Sequence, residues 1–322
     1  MEIYILCGAD SISGGPELAH QFCQAVNELT GIKAKMCYMR LNAPLNECLP
    51  IDTQAPENYA IYKTEHARTL QEIDSDENII IVPEGLTYGI YLFLHAKLVI
   101  WWMSVDNYIK STGESNLETL KKRCNLHLVQ SYYAKKYVET HFSGEVMWLT
   151  DYINLKHGRG DIFSAERADI ALFNPAKGLE NMLPVIEKNS WLHWVAIHKM
   201  SIDETIYIMQ RAKVYIDLGN HPGKDRMPRE AAINGCCVIT NKEGSAAFQL
   251  DVPIPEEYKF EHVTKRYDEI EELLRDICTN FKVHQKKFED YRNWIKGEKE
   301  RFDNEVCEVV SRLELLSRGN GI

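Results

Sequence analysis

The chain has 322 residues, 45% hydrophobic and 26% charged, which is globular usage; it excludes a disordered or fibrous protein and leaves room for about two domains. Lys and Arg total 37 against 47 Asp and Glu, so the net charge of −10 opposes a phosphate backbone and no nucleic-acid partner is expected. The longest strongly apolar run, LVIWWM at 98–103, is far below the ~20 residues of a membrane span. MEIYILCGAD lacks a basic segment followed by a long apolar one, so a cytoplasmic protein without a leader is expected. Nine cysteines, an odd number with no C-x-x-C, read as free thiols in a reducing compartment.

Strand-length apolar runs alternate with helix-period segments, the pattern of a parallel α/β sheet. EIYILCG (2–8) reads as a buried strand and ADSISGG (9–15) as a glycine-rich turn. Leu18, Phe22, Val26 and Leu29 then recur at helical spacing until Gly31. KAKMCYMR (33–40) is a second strand, and 42–60 reads as irregular. NIIIVPE (78–84) is followed by a helical YGIYLFLH (88–95), then by the strand KLVIWWMS (97–104). Ser115 with Glu118 reads as a capping box. LHLVQS (126–131), a helix 132–142 and the strand VMWLTDYIN (146–154) close the first half.

The expected division is a domain over 1–154, a linker over 155–168 that breaks the pattern with glycines and charges, and a second α/β domain over 169–298. That domain contains strands 169–174, 191–197, 213–219 and 236–240. It also contains a helix opened by a second capping box, Ser201 with Glu204, and a short helix 228–234. From about 256 to 318 nearly everything reads as helix. Phe302, Val306, Val309, Leu313 and Leu316 share one face of its final segment.

In open α/β sheets ligands sit beyond the carboxyl ends of the strands. The first such loop is SISGGPE (11–17), where Gly14 and Gly15 precede a helix N-terminus suited to an anion. It is not a G-x-G-x-x-G fingerprint. The most informative stretch is IDLGNHPGKDRMPREAAINGCCVIT (216–240). There a polar loop with His221, Lys224 and Arg226 follows a strand, Pro228 and Gly235 bracket a short helix, and Glu230 falls in its first turn. Cations, a helix N-terminus and one carboxylate would together suit a phosphate and a sugar diol.

REAAINGCCVIT resembles the nucleotide-binding segment of GT-B glycosyltransferases of the family 4 type. SGGPELAHQF resembles their first loop and helix, and FNPAKGLENML (173–183) the start of their second domain. The resemblance spans nearly the whole chain. It implies two Rossmann-like doubly wound domains facing a cleft, with residues 299–322 as a helix returning to the first domain. It also implies a nucleoside diphosphate sugar as donor, with Lys177 on the diphosphate and no cofactor or metal. Gly14, Gly15, Lys177, His221, Lys224, Arg226 and Glu230 are thus the expected donor-binding residues.

There are departures. The second glutamate of that family, eight positions before Glu230, is here Pro222, which would shift sugar recognition to His221 or Lys224. Asn174 or a neighbour stands for a frequent arginine, and Trp101-Trp102-Met103 for a frequent histidine. Asp10, Glu84 and Asp106 each follow a strand and are candidate bases for an acceptor hydroxyl. Asp74-Ser75-Asp76 matches a D-x-D metal motif but precedes a strand, so it reads as a turn. Trp101 and Trp102 read as core before sugar platforms.

The expected function is transfer of a sugar to a hydroxyl of a glycan or lipid-linked saccharide in surface polysaccharide synthesis. Two alternatives stay open: a GT-B-type nucleotide-sugar epimerase and a catalytically degenerate sugar-nucleotide-binding subunit. Lys121, Lys122, Arg123, Lys135 and Lys136 cluster on two helices, which leaves open a salt-sensitive peripheral association with the inner face of a membrane.

Overall fold

The apolar runs become strands covered on both faces, as their lack of alternation requires. The computed structural model describes residues 1–40, 47, 55–163 and 166–319. Its contacts separate one unit, Met1–Asp151 with Lys299–Ile322, from another, Tyr152–Glu298.

In chain order the first unit holds β1 (Glu2–Gly8), α1 (Gly14–Leu29), β2 (Lys33–Met39), α2 (Leu70–Ile73), β3 (Ile79–Pro83) and β4 (Lys97–Trp102). It continues with α3 (Val105–Thr112), α4 (Leu117–Arg123), β5 (Leu126–Val129), α5 (Tyr132–His141) and β6 (Glu145–Trp148). The six strands are parallel in the order β2-β1-β3-β4-β5-β6. The order reverses between β1 and β3, so the loops after these two strands flank the switch point where ligands of such sheets bind.

The second unit holds β7 (Ala168–Phe173), α6 (Leu179–Lys188), β8 (His193–Ala196), α7 (Ile202–Met209), β9 (Ala212–Asp217), α8 (Arg226–Ile233), β10 (Cys237–Asn241) and β11 (Lys259–Phe260). Helices α9 (Tyr267–Thr279), α10 (Phe281–Lys286) and α11 (Glu289–Lys296) follow. Its parallel order is β11-β10-β9-β7-β8, with the reversal between β7 and β9. The last helix, α12 (Glu298–Ser317), starts at the final residue of this unit and otherwise belongs to the first. Phe302, Val306, Val309 and Leu313 are buried along it. Glu305 accepts the Thr150 N–H and hydroxyl at 2.7 Å, and Lys97 reaches the Leu316 and Ser317 carbonyls at 2.9 Å.

Several local expectations change. The Ser115–Glu118 box does not form, because Asn116 is the N-cap of α4; the Ser201–Glu204 box is present on α7. Residues 84–92 are 3-10 in place of the expected helix 88–95, and a two-residue strand and 3-10 turns interrupt the stretch after 256. Most of 42–60 lies outside the described residues; Glu57–Tyr62 is a 3-10 turn. The described residues of the stretch 155–168 belong to the second unit. Arg167 is buried and donates to the Met209, Ala212 and Asn234 carbonyls.

The loops after β7 and β9 touch backbone to backbone. Gly178 has φ +56°, and a Cβ there would lie 2.4 Å from the Gly219 Cα. Asn181 at the start of α6 adds a 2.9 Å bond to the Leu218 carbonyl. Gly113, at φ +55°, has nothing within 4 Å of where its Cβ would be. Gly113→Ala should therefore cost only left-handed strain, about 1–2 kcal/mol, whereas Gly178→Ala adds a backbone collision. A clearly larger fall in Tm for Gly178→Ala is expected in thermal unfolding; equal falls would mean that the two loops do not meet.

Candidate functional site

The β7/β9 switch point gathers an ionic cluster that no single stretch of sequence displays. Lys177, after β7, places its ammonium 2.5 Å from the Asp225 carboxylate, and the same oxygen of Asp225 lies 2.7 Å from His221 Nδ1. On the other side of the imidazole, Nε2 is 3.9 Å from Asp217 at the end of β9. Asp217 in turn accepts from the Tyr215 hydroxyl at 3.1 Å and the Gly219 N–H at 3.2 Å. The loop is pinned from behind by Ser245, which donates its N–H to the His221 carbonyl and its hydroxyl to the Gly223 carbonyl. Gly244 precedes it at φ +55°, where a Cβ would strike the His221 carbonyl.

Asp225 occupies the N-cap position of α8, yet its side chain does not cap the helix because its carboxylate serves Lys177 and His221. Burial alone would push that carboxyl up; the His221 hydrogen bond and the Lys177 charge bring it below the ordinary range. For His221 burial acts to lower the value, but the hydrogen bond to Asp225 and the two carboxylate charges raise it above 6.5.

These positions revise several expectations. His221 is fully buried and Lys224 nearly so, so neither side chain is presented to a sugar. Lys224 places its ammonium 3.1 Å from Glu298 and 4.7 Å from the centre of the Trp294 ring, and Arg229 meets the same carboxylate at 2.9 Å. Burial without a counter-charge would be prohibitive for these cations, and Glu298 supplies it. Arg226 donates to the Tyr152 carbonyl at 3.2 Å. Lys177 keeps about a quarter of its side chain exposed (27%) and Glu230 less (16%), so both remain reachable. Asn174, expected with its neighbours to stand in place of the frequent arginine, closes a local turn by accepting the Ala176 N–H at 3.0 Å.

Sequence reasoning missed Asp225, Asp217 and Glu298. The signals were present: two aspartates four residues either side of His221, and a glutamate directly after Gly297 at the start of the last helix. Among the described residues Asp217, His221 and Asp225 form the one group whose ligand-type atoms converge as a metal site requires. They do not suit one, because an ion would have to displace Lys177 from Asp225 and deprotonate a histidine whose value is raised.

In the first unit Gly14 and Gly15 open α1, beside the β1/β3 switch point. A Cβ at Gly15 would make only ordinary contact with Met103 sulfur at 3.6 Å, so no crowding dictates a glycine there. Asp10 is exposed in the loop after β1. Asp106, in the first turn of α3, accepts from the Tyr133 hydroxyl at 2.6 Å. Glu84 is buried and accepts the Met103 N–H at 2.9 Å; burial pushes its carboxyl up to about 7 against the lowering effect of those backbone donors. Asp74 of the D-x-D accepts three consecutive backbone N–H groups, from Leu94, His95 and Ala96, and so organises the entry to β4.

Trp101 and Trp102 are core residues, bonded to the Leu149 carbonyl and to His127 Nδ1. Of the basic cluster, Arg123 is spent on the Ile90 and Phe93 carbonyls, and Lys121 and Lys135 pair with Glu118 and Glu139. No helix among the described residues is long and apolar enough to cross a membrane.

No protein-family model and no curated protein matches the sequence. Solved structures do match over nearly full length. The chain is similar to sucrose-phosphate synthase from Thermosynechococcus elongatus (TM-score 0.65, 12% identity, 97% of this chain and 98% of that one). It is also similar to HepE of Anabaena in complex with UDP (0.69, 8%, 97% and 100%). An E. coli trehalose-6-phosphate protein bound with UDP-2-fluoro glucose is a further match (0.64, 9%, 98% and 99%). The likeness shows a GT-B fold.

The ionic cluster has a pH signature. A histidine raised above 6.5 contributes stability that is complete below that value and lost as pH rises through its folded value. An aspartate lowered below 3.8 contributes stability that is lost only as pH falls through its folded value. Between 3.8 and 6.5 both contributions are present in full. His221→Gln should therefore destabilise most in that window, by roughly 2 kcal/mol, and progressively less above it. A Tm difference from wild type that is flat from pH 5 to 9 would contradict a charged His221.

Proposed function

We propose that the protein is a glycosyltransferase that takes a sugar from a UDP-linked donor bound by the second unit and transfers it to a hydroxyl of a glycan or lipid-linked saccharide. One observation carries this reading. At the reversal point of a parallel sheet, a part-exposed Lys177 ammonium meets the N-terminal end of α8, whose next turn bears a part-exposed Glu230. A diphosphate would take the cation and the helix end, and a ribose diol the carboxylate. The nucleotides named with HepE and with the E. coli protein support uridine diphosphate.

Cleavage of the sugar–phosphate bond puts negative charge on the departing UDP. Lys177, held by its tether to Asp225 at the edge of the site, would neutralise that charge at no cost in reorganisation. This chemistry needs no metal and no cofactor.

A specific observation also favours a binding subunit without transfer. Pro222 carries no sugar-binding group, and the side chains expected to replace it, His221 and Lys224, are buried. Turnover separates the readings. A transferase releases UDP from UDP-glucose in the presence of an acceptor, an epimerase returns an isomerised UDP-sugar with no free UDP, and a binding subunit does neither.

A thermal-shift panel of UDP, GDP, CDP, ADP and dTDP is the first test, since a ligand at 100 times its Kd adds about 2.7 kcal/mol. UDP should give the largest shift, and no shift with any of them would remove the donor site. In calorimetry Lys177→Ala should weaken UDP binding by ~1.5–3 kcal/mol and uridine binding far less; equal losses would make the lysine structural. Glu230→Ala should abolish most of the difference between UDP and 2′-deoxy-UDP, because both changes delete one interaction. An undiminished difference would take Glu230 off the ribose.

A further inference from the structure

Arg229 and Glu230 are neighbours in α8, and at 3.6 residues per turn their side chains leave the helix about 100° apart. Arg229 turns to Glu298. Glu230 faces His157, a residue of the segment docked in front of the second sheet's first strand; His157 Nε2 lies 3.8 Å from Glu230 Oε1. The imidazole side chain is almost fully buried at 3% exposure, while the carboxylate retains 16%.

The proton on that imidazole is placed by Asn234, the C-cap residue of the same helix. The Asn234 side-chain oxygen accepts the Gly158 N–H at 3.2 Å. Its amide nitrogen therefore faces the Glu230 carbonyl at 2.8 Å and His157 Nδ1, also at 2.8 Å. An amide nitrogen only donates, so Nδ1 must accept and the ring proton sits on Nε2, the atom nearest Glu230. At 3.8 Å the N–H and the carboxylate are beyond hydrogen-bond length. The bond therefore requires a shift of the glutamate when the ribose binds, and a carboxylate with one oxygen on a diol has the other left for an N–H.

We infer that His157 is a positioning residue for Glu230: its Nε2–H, fixed in that tautomer by Asn234, holds the carboxylate in the orientation that receives the two ribose hydroxyls. This rests on the reading that Glu230 binds the ribose. It also explains how Glu230 is oriented when Lys224 and Arg229 point away from it to Glu298. Disruption of a partner that orients a ligating group typically costs tenfold or more in affinity at metal sites, where the logic is the same.

The test compares His157→Asn and His157→Gln by calorimetry with UDP and 2′-deoxy-UDP, alongside Tm. The Asn amide reaches only the Nδ1 position, so it keeps the contact to Asn234 and loses Glu230; the Gln amide reaches the Nε2 position. His157→Asn should weaken UDP binding about tenfold, the order of one charge-assisted hydrogen bond, and shrink the preference for UDP over 2′-deoxy-UDP. His157→Gln should restore most of both. A purely structural histidine predicts the reverse ranking, with Asn the milder change and the deoxy preference intact, and that result overturns the inference. His157→Leu carries the same expectation as Asn should the Asn variant fail to fold. If wild type binds no UDP, the reading of the site falls and the inference with it; binding by wild type with a wrong ranking of variants removes the inference alone.

Discussion

A single carboxylate organises the candidate donor site. Asp225 accepts from Lys177, which follows β7, and lies 2.7 Å from Nδ1 of His221, which follows β9, so it ties together the two loops that flank the strand-order reversal of the second sheet. Removing any one of the three leaves a buried or half-buried charge without its complement, the costly case for ionic groups inside proteins. The backbone contact of Gly178 with Gly219 and the Ser245 bonds behind the loop serve the same end, because each limits where the Lys177 ammonium can go.

The second consequence is a sorting of the cations in the 221–229 loop. In the sequence His221, Lys224, Arg226 and Arg229 look like one basic patch that a phosphate would use. In the structure three of them are committed elsewhere: His221 to Asp225, and Lys224 and Arg229 to Glu298. Lys177, supplied by a different loop, keeps its ammonium part-exposed at this switch point while paired with Asp225. Spacing along a chain predicts proximity of backbones; the direction of each side chain depends on partners that are distant in sequence, here 69 residues away for Arg229.

The fold was legible for the same reason that the side-chain partners were not. Strand runs such as NIIIVPE and KVYIDLG are apolar throughout, a local property that forces burial on both faces and hence a parallel sheet with helices outside. The approximate bounds of α8 were also readable from Pro228 and Gly235, although the helix begins two residues before the proline, at Arg226. The stretch 155–168, read as a linker from its glycines and charges, groups with the second unit. Three of its polar side chains are in fact engaged by later parts of the second unit: Arg167 by three carbonyls, Lys156 by Asp203, and His157 by Asn234. Glycine-rich polar composition marks irregular backbone and does not by itself mark freedom.

The central claim is that the loops after β7 and β9 form a nucleoside diphosphate site. A crystal structure of the protein soaked with UDP tests it most directly. The account predicts the diphosphate within hydrogen-bond distance of the Lys177 ammonium, with Lys177 shared between it and Asp225, and the ribose hydroxyls on Glu230. UDP seated elsewhere in the protein, or with Lys177 and Glu230 both beyond contact of the nucleotide, would contradict it.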